Sequence, residues 1–249
     1  MPTRHDDAIC IRVWDWSETS QTVSLFCREI GIVRGLAKGA KRDDARFSGG
    51  FELLTRGQAG VIVKSGDAMA TLTSWDLAEV YPAARASLPA FYCAMGMLDV
   101  VQALIRDHDP HSSLYDALVA SLRRIDGLAD SAAALVQMLW SSLEECGYRP
   151  ELERDVRTGE PLGEAPQLVF DARLGGFSSR RGEPGDDAWR ARSTTLETLR
   201  TIAQEGAPGL TVEASVRAGK LLGAYVRELS GGRLNAVHSA WEAVLRAAS

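Results

Sequence analysis

The chain has no pair of cysteines at the CxxC spacing of a metal or redox site. Cys10, Cys27, Cys93 and Cys146 stand far apart, each inside an apolar pattern, where free cysteine behaves as a small hydrophobe. A disulfide framework is therefore not expected. No apolar run approaches the roughly 18 residues of a membrane span. The opening stretch MPTRHDDAICIRVWDW lacks the apolar core and small-residue cleavage site of a secretory signal. These absences predict a soluble cytoplasmic protein. There is no GxSxG elbow and no Walker loop, so acyl transfer and nucleotide hydrolysis lack their usual signatures. No repeat of fixed period is visible either.

Histidine is scarce. Of the four, His108 and His111 fall in RDHDPHSS and His5 precedes Asp6 and Asp7. A metal-dependent hydrolase would have to bring such groups together from separate elements. The alternative reading makes 106–113 a polar connection whose Ser112 and Ser113 cap the following helix.

What the chain does have is an uneven charge distribution. Its net charge is −5 over 249 residues. Residues 28–46 nevertheless carry six basic groups against three acidic ones, and residues 190–249 carry eight against five. The segments 83–149 and 150–189 are acidic. Charge segregated in this way can steer a polyanionic partner.

Residues 8–82 read as short strands. AICIRVW alternates through Ile9, Ile11 and Val13, SETSQ is turn chemistry, and TVSLFC and IVRGLAK follow. FELL and two β-rich arms about Ser65-Gly66-Asp67 complete the set. Strands in this number suit a small closed barrel; an oligonucleotide/oligosaccharide-binding (OB) barrel is the commonest fit, and strand count alone does not separate it from an SH3-like barrel. From residue 83 the period becomes helical. Phe91, Met95, Leu98, Gln102 and Ile105 are spaced as one face, and Leu118, Leu122 and Ile125 as another. A third helix stops at Gly147, and helical patterns return at 194–205, 213–229 and 236–247, with Gly231 ending the second of these. Between them, 148–190 is rich in proline, glycine and acids around one strand-like run, QLVFD. The expected organisation is α+β: a barrel over 1–82 and a helical domain over 83–249, interrupted by a small module at 148–190.

The loop GLAKGAKRDD concentrates the basic signal. Arg28, Arg34, Lys38, Lys41, Arg42 and Arg46 could line a phosphate-binding edge, with Gly35 and Gly39 letting the backbone approach closely. The same residues could instead be a solubilising edge that blunts strand aggregation. Trp14 and Trp16 flank the first barrel turn and are candidates for stacking on bases, as are Phe26 and Phe47. Trp140 and Trp241 lie on apolar helix faces and read as core.

The order of these motifs resembles the RecO family of recombination mediators. Glu18-Thr19-Ser20 matches that family's ETS turn, Leu25 to Gly31 its LFTRE-G strand, and Gly35 to Arg42 its glycine-rich basic strand-loop. FELLTRG…ATLTSWDLAEVYPAAR, CGYRPEL (146–152) and KLLGAYVRELSGGRLNAVHS (220–239) resemble later segments in the same order. The resemblance implies an OB barrel, a helical domain and no catalytic centre or cofactor. It implies binding of single- and double-stranded DNA at the nucleoid, strand annealing, and cooperation with RecR in loading RecA onto SSB-coated DNA. It also implies that the helical domain binds the acidic, Phe-ended SSB tail. Arg106, Arg123 and Arg124 are candidates for that contact, the last two also reading as cations at a helix end.

Many members of the family carry four zinc-binding cysteines after GYRPxL. Here Asp155 and Thr158 stand at the first pair, and Ser178 and Arg181 at the second. Only Asp155 could ligate zinc, so no structural zinc is expected, and the module would be held by Leu168, Phe170 and Phe177 or be partly disordered. A generic OB-fold RNA- or oligosaccharide-binding protein with a helical interaction domain is the alternative.

Overall fold

The structure, a computed structural model, describes residues 2–42, 46–63, 69–163, 165–179, 188–232 and 234–249. Asp43, Asp44, the Ser65-Gly66-Asp67 turn and Arg181 lie outside them. The chain divides into two compact units, one formed by Met1–Pro82 with Ile105–Val119, the other by Ala83–Leu104 with Ala120–Ser249.

In the first unit five strands close a barrel: β1 (Arg4–Asp15), β2 (Gln21–Cys27), β3 (Gly31–Ala37), β4 (Thr55–Ile62) and β5 (Ala70–Val80). Their order around the barrel is β1-β2-β3-β5-β4, with β3 and β5 parallel and the other pairs antiparallel. This is the OB barrel topology, and closure leaves no strand edge open. Ala8, Cys10, Val23, Leu25, Cys27, Val33, Ala37, Ala59, Val61, Leu72 and Trp75 fill the interior. Gly35 faces Leu72 so closely that a Cβ would stand 2.8 Å from its Cγ. That glycine serves interior packing, not the approach of a phosphate.

Two strand expectations are corrected. A register shift between Cys10 and Arg12 turns the inward face of β1 from Ala8 and Cys10 to Val13. Ile9 and Ile11 are therefore not the barrel lining, although both are fully buried. The bulge changes the parity that strict alternation assumes. FELL is not a strand. Gln21 Oε1 accepts from Phe51 N at 2.9 Å and Gln21 Nε2 donates to Phe51 O at 3.3 Å, so one side chain satisfies that backbone without a sheet partner. The Phe51 ring then packs 4.9 Å from Trp75 inside the barrel.

Ile105–Val119 caps the barrel's outside. His108 N donates to Ile32 O at 2.9 Å, and Tyr115 packs on Phe26 at 5.8 Å. Gly31 is required here: its φ is +80°, and a Cβ would lie 2.4 Å from Asp109 O.

The second unit contains α1 (Leu88–Leu104), α3 (Gly127–Glu145), α4 (Ser193–Glu205), α5 (Val212–Ser230) and α6 (Asn235–Ala247). The helix α2 (Ser112–Arg123) begins in the first unit and ends in the second. Buried residues of α1 include Ala90, Cys93, Ala94, Met97, Leu98 and Val101, while Phe91, Met95 and Gln102 are only half-buried. The predicted stripe is thus mostly the wrong face. Packed by α3, α5 and α6, α1 is apolar nearly all round, so the sequence offers no single apolar stripe that marks its buried face. Helix ends follow their chemistry. Tyr148 N donates to Leu143 O and Gly147 N to Glu144 O at the end of α3, a Schellman closure. Thr211 Oγ1 caps α5, and Asp99 Oδ2 accepts from Ala236 N in the first turn of α6.

Also in this unit, β6 (Gln167–Asp171) pairs with β7 (Gly176–Ser178) and β8 (Ala188–Arg192) in a three-stranded antiparallel sheet. Among the described residues no helix is long and apolar enough to cross a membrane.

Candidate nucleic-acid interface

The two motifs that bracket the barrel's basic edge are tied to each other. Trp16 N and Ser17 N both donate to Ser20 O, closing the ETS turn. Lys41 N donates to Thr19 O at 3.0 Å and Gly39 N to Ser20 Oγ at 3.1 Å, which fasten the basic loop onto that turn. Lys41 Nζ reaches Asp15 at 2.6 Å.

The six sequence-predicted cations differ in what they already touch. Arg28 follows β2 and holds Asp116 at 2.8 Å and Glu29 at 2.6 Å; its guanidinium keeps the Asp116 carboxyl below the ordinary range. Arg34, exposed on β3, meets Asp107 at 3.2 Å. Arg46 lies 5.9 Å from the centre of the Phe47 ring. Lys38 and Arg42 are exposed and have no side-chain ion pair among the described residues. Arg34, Lys38, Lys41 and Arg42 are thus gathered on β3 and the loop that continues it, while Arg28 is committed to the 105–119 segment.

Sequence reasoning missed Arg12. It sits beyond the bulge on β1, exposed, 6.0 Å from the centre of the Trp14 ring. The cross-strand register puts it opposite Ser24, which in turn faces Arg34. The available signal was a lone arginine among apolar residues, which alternation with Ile11 and Val13 already put on the outer face. Trp14 and Trp16 are 50% and 65% exposed, whereas Phe26 and Phe47 are buried and cannot meet a base.

Of the other candidates, Asp6 and Arg124 are engaged within the protein. Asp6 is buried and accepts from Glu29 N and Ile30 N, each at 2.9 Å, closing the β2–β3 turn. Burial pushes its carboxyl above the ordinary value despite those bonds. Arg124 donates to Ala207 O at 3.3 Å, Arg123 ends α2 exposed, and Arg106 is exposed in the 105–119 segment.

Of the positions aligned with zinc cysteines, Asp155 and Ser178 share a hydrogen-bond cluster. Asp155, almost wholly buried, accepts from Ser178 Oγ at 3.0 Å, Ser179 N at 2.8 Å and Ser179 Oγ at 2.9 Å on one oxygen, and from Arg157 N at 3.0 Å on the other. Thr158 Oγ1 accepts from Glu160 N. One carboxylate already filled by N–H and O–H donors, with hydroxyls beside it, does not fit a zinc centre. Among the described residues no three His, Cys, Asp or Glu side chains converge to hold a metal ion. Burial raises the Asp155 pKa, but the hydrogen bonds from Ser179, Arg157 and Ser178 outweigh it and hold it at about 2.

The family models agree with this geometry. That for the N-terminal part of recombination protein O matches residues 1–81, and that for its C-terminal part matches residues 85–238. The chain belongs to the RecO family. The DNA repair protein RecO of Anaeromyxobacter dehalogenans (strain 2CP-C) is 32% identical over 220 residues, covering 88% of this chain and 85% of the relative. That of Rhodopirellula baltica is 29% identical over 210 residues, covering 83% and 78%. The RecO of Myxococcus xanthus is 27% identical over 233 residues, covering 93% and 94%. Two of the motifs that carry the resemblance to RecO, the ETS turn and the basic loop, are joined in the barrel by Lys41 N–Thr19 O and Gly39 N–Ser20 Oγ.

Proposed function

We propose that this RecO-family chain is a recombination mediator in DNA repair that works by binding and not by turnover. Its barrel takes single- and double-stranded DNA through phosphate contacts, and neutralisation lets complementary strands approach and anneal. With RecR it helps place RecA on SSB-coated DNA. The observation that supports this most directly is the edge where the ETS turn fastens the basic loop. Lys38 and Arg42 stand there without acidic partners among the described residues, beside Arg34 and Lys41. Exposed ion pairs such as Arg34–Asp107 are weak and exchange easily for a phosphate. Arg28 and Arg46 extend the same reading at the margins.

For the acidic SSB tail, recognition needs an apolar pocket beside cations. Arg106, Arg123 and Arg124 supply charge, but Arg124 is engaged with Ala207 O. A groove of about 840 Å³ between α5 and α6 has both properties, with Lys220 and Arg227 beside Leu234, Val237, Trp241 and Leu245.

The test is binding of a fluorescent single-stranded oligonucleotide across a salt titration, with K38E/K41E/R42E beside the wild type. Each lost phosphate contact should flatten the log–log slope by about 0.7. Weaker binding with a shallower slope supports the phosphate edge; equal binding by both proteins reduces the loop to a solubilising device.

A further inference from the structure

Trp14 and Trp16 are large apolar side chains left half or more exposed at one end of the barrel, and nothing in the phosphate-binding reading uses them. Their setting is ordered. The register places Trp14 opposite Thr22, Thr22 opposite Leu36, and Leu36 opposite Thr71 in one row across β1, β2, β3 and β5. The three partners of Trp14 in this row are partly exposed. Two residues along the strands, the next row is Arg12, Ser24 and Arg34, with both arginines exposed. On the other side stand Lys38 and the basic loop, fastened to the turn that carries Trp16. An aromatic and aliphatic row therefore lies between two cationic rows, each about two residues, or roughly 7 Å, away.

We infer that this outer face is a stacking platform for the unpaired bases of a single strand, with Trp14 and Trp16 as the ring contacts. The inference rests on the DNA-binding reading given above and deepens it. A base offers an apolar face flanked by its own phosphates, which matches an indole flanked by cations. In a duplex the bases are already stacked on one another, so only the cationic rows can be used. Thr22 and Thr71 in the row of Trp14, and the buried Ser24 between the two arginines, are small and keep the surface beside the indole low. Asp15, the acid between the two tryptophans in sequence, is neutralised by Lys41 at 2.6 Å. The Arg12 guanidinium near the Trp14 ring adds charge where the adjoining phosphate would pass. Trp14 and Trp16 thus set the preference for single strands, and the cations set the affinity common to both forms.

The experiment measures binding of the full chain to a fluorescent oligothymidylate and to a mixed-sequence duplex of the same length. Wild type is compared with W14A/W16A and with W14F/W16F. The expected result is a loss of about tenfold or more for oligothymidylate in W14A/W16A, a change within twofold for the duplex, and an unchanged salt slope. W14F/W16F keeps a π-face and should recover most of the lost affinity. Oligothymidylate should also quench the wild type's tryptophan emission, and this quenching should shrink in W14F/W16F. Equal losses on both DNA forms, or no loss on either with no quenching, would overturn the stacking platform while leaving the phosphate edge standing. A wild type that binds neither form would overturn the DNA-binding reading and this inference with it.

Discussion

Lys38 and Arg42 on the barrel loop face solvent without acidic partners among the described residues. Arg157, in the connection ahead of the β6–β7–β8 sheet, is fully engaged: its guanidinium holds Asp171 at 2.7 Å and its N–H donates to Asp155 at 3.0 Å. Both segments are rich in charge, glycine and turns, the barrel loop net basic and the module net acidic. The difference is what each charge already touches. In the module, polar groups are spent on one another, doing the work of a cross-link. On the barrel, backbone bonds fasten the loop while Lys38 and Arg42 keep no acidic partner among the described residues. Unspent charge on a fixed loop marks a binding site better than charge density does.

The sharpest way to break this contrast is to remove the module's apolar centre. Phe170 is fully buried, edge-on to Phe177 at 5.1 Å and Tyr225 at 5.2 Å, and stacked on Trp189 at 5.9 Å. Phe170→Ala should destabilise the protein by about 3–5 kcal/mol, read by urea unfolding, while DNA affinity of the folded fraction stays unchanged. A folded variant with normal stability would show that the polar cluster suffices to hold the sheet.

Next in size is the polar cluster itself. Asp155→Ala leaves Ser178, Ser179 and Arg157 donors without their acceptor and should cost about 2–3 kcal/mol. A chelator should leave the melting temperature of the wild type unchanged, which separates this cluster from a metal cross-link. The pH dependence follows from the depressed pKa. The unfolded carboxyl titrates near its ordinary value of 3.8 and the folded one at about 2. The stabilisation is therefore fully present above about pH 4 and is lost as pH falls through about 2. Acid unfolding of Asp155→Asn should lack that component of the slope.

How much of this was legible depended on which physical rule dominated each segment. Strand β2 alternates through Val23, Leu25 and Cys27, β3 is a β-rich run set off by Gly31, and the helices α4, α5 and α6 follow the 3.6 period, so pattern finds them. The inward face of β1 was misread because one bulge shifts its parity. FELL was misread because Gln21, thirty residues earlier, satisfies the Phe51 backbone. The stripe on α1 failed because a helix packed by several neighbours has no single apolar face. Of the site, the basic loop and the two tryptophans could be read from residue type. Their tie to the ETS turn could not, since it runs through backbone N–H and C=O groups. The same holds for Arg28: its pairing with Asp116, 88 positions away, requires the fold to be known.

The smallest effect sharpens the comparison within the barrel. Arg34 is an exposed cation whose partner, Asp107 at 3.2 Å, comes from the 105–119 segment of the same unit. A phosphate arriving at Arg34 must displace that carboxylate. An exposed pair of this kind is worth about 0.2–1 kcal/mol, so stability should hardly change in Asp107→Asn. Removing the competitor should instead tighten oligonucleotide binding by about two- to fivefold at low salt, with the gain fading as salt rises. Asp116→Asn should do the same at Arg28 only if that residue also reaches the strand. A gain at Asp107 without one at Asp116 would place the strand along β3 and the basic loop, and leave Arg28 as the fastening of the 105–119 segment to its barrel.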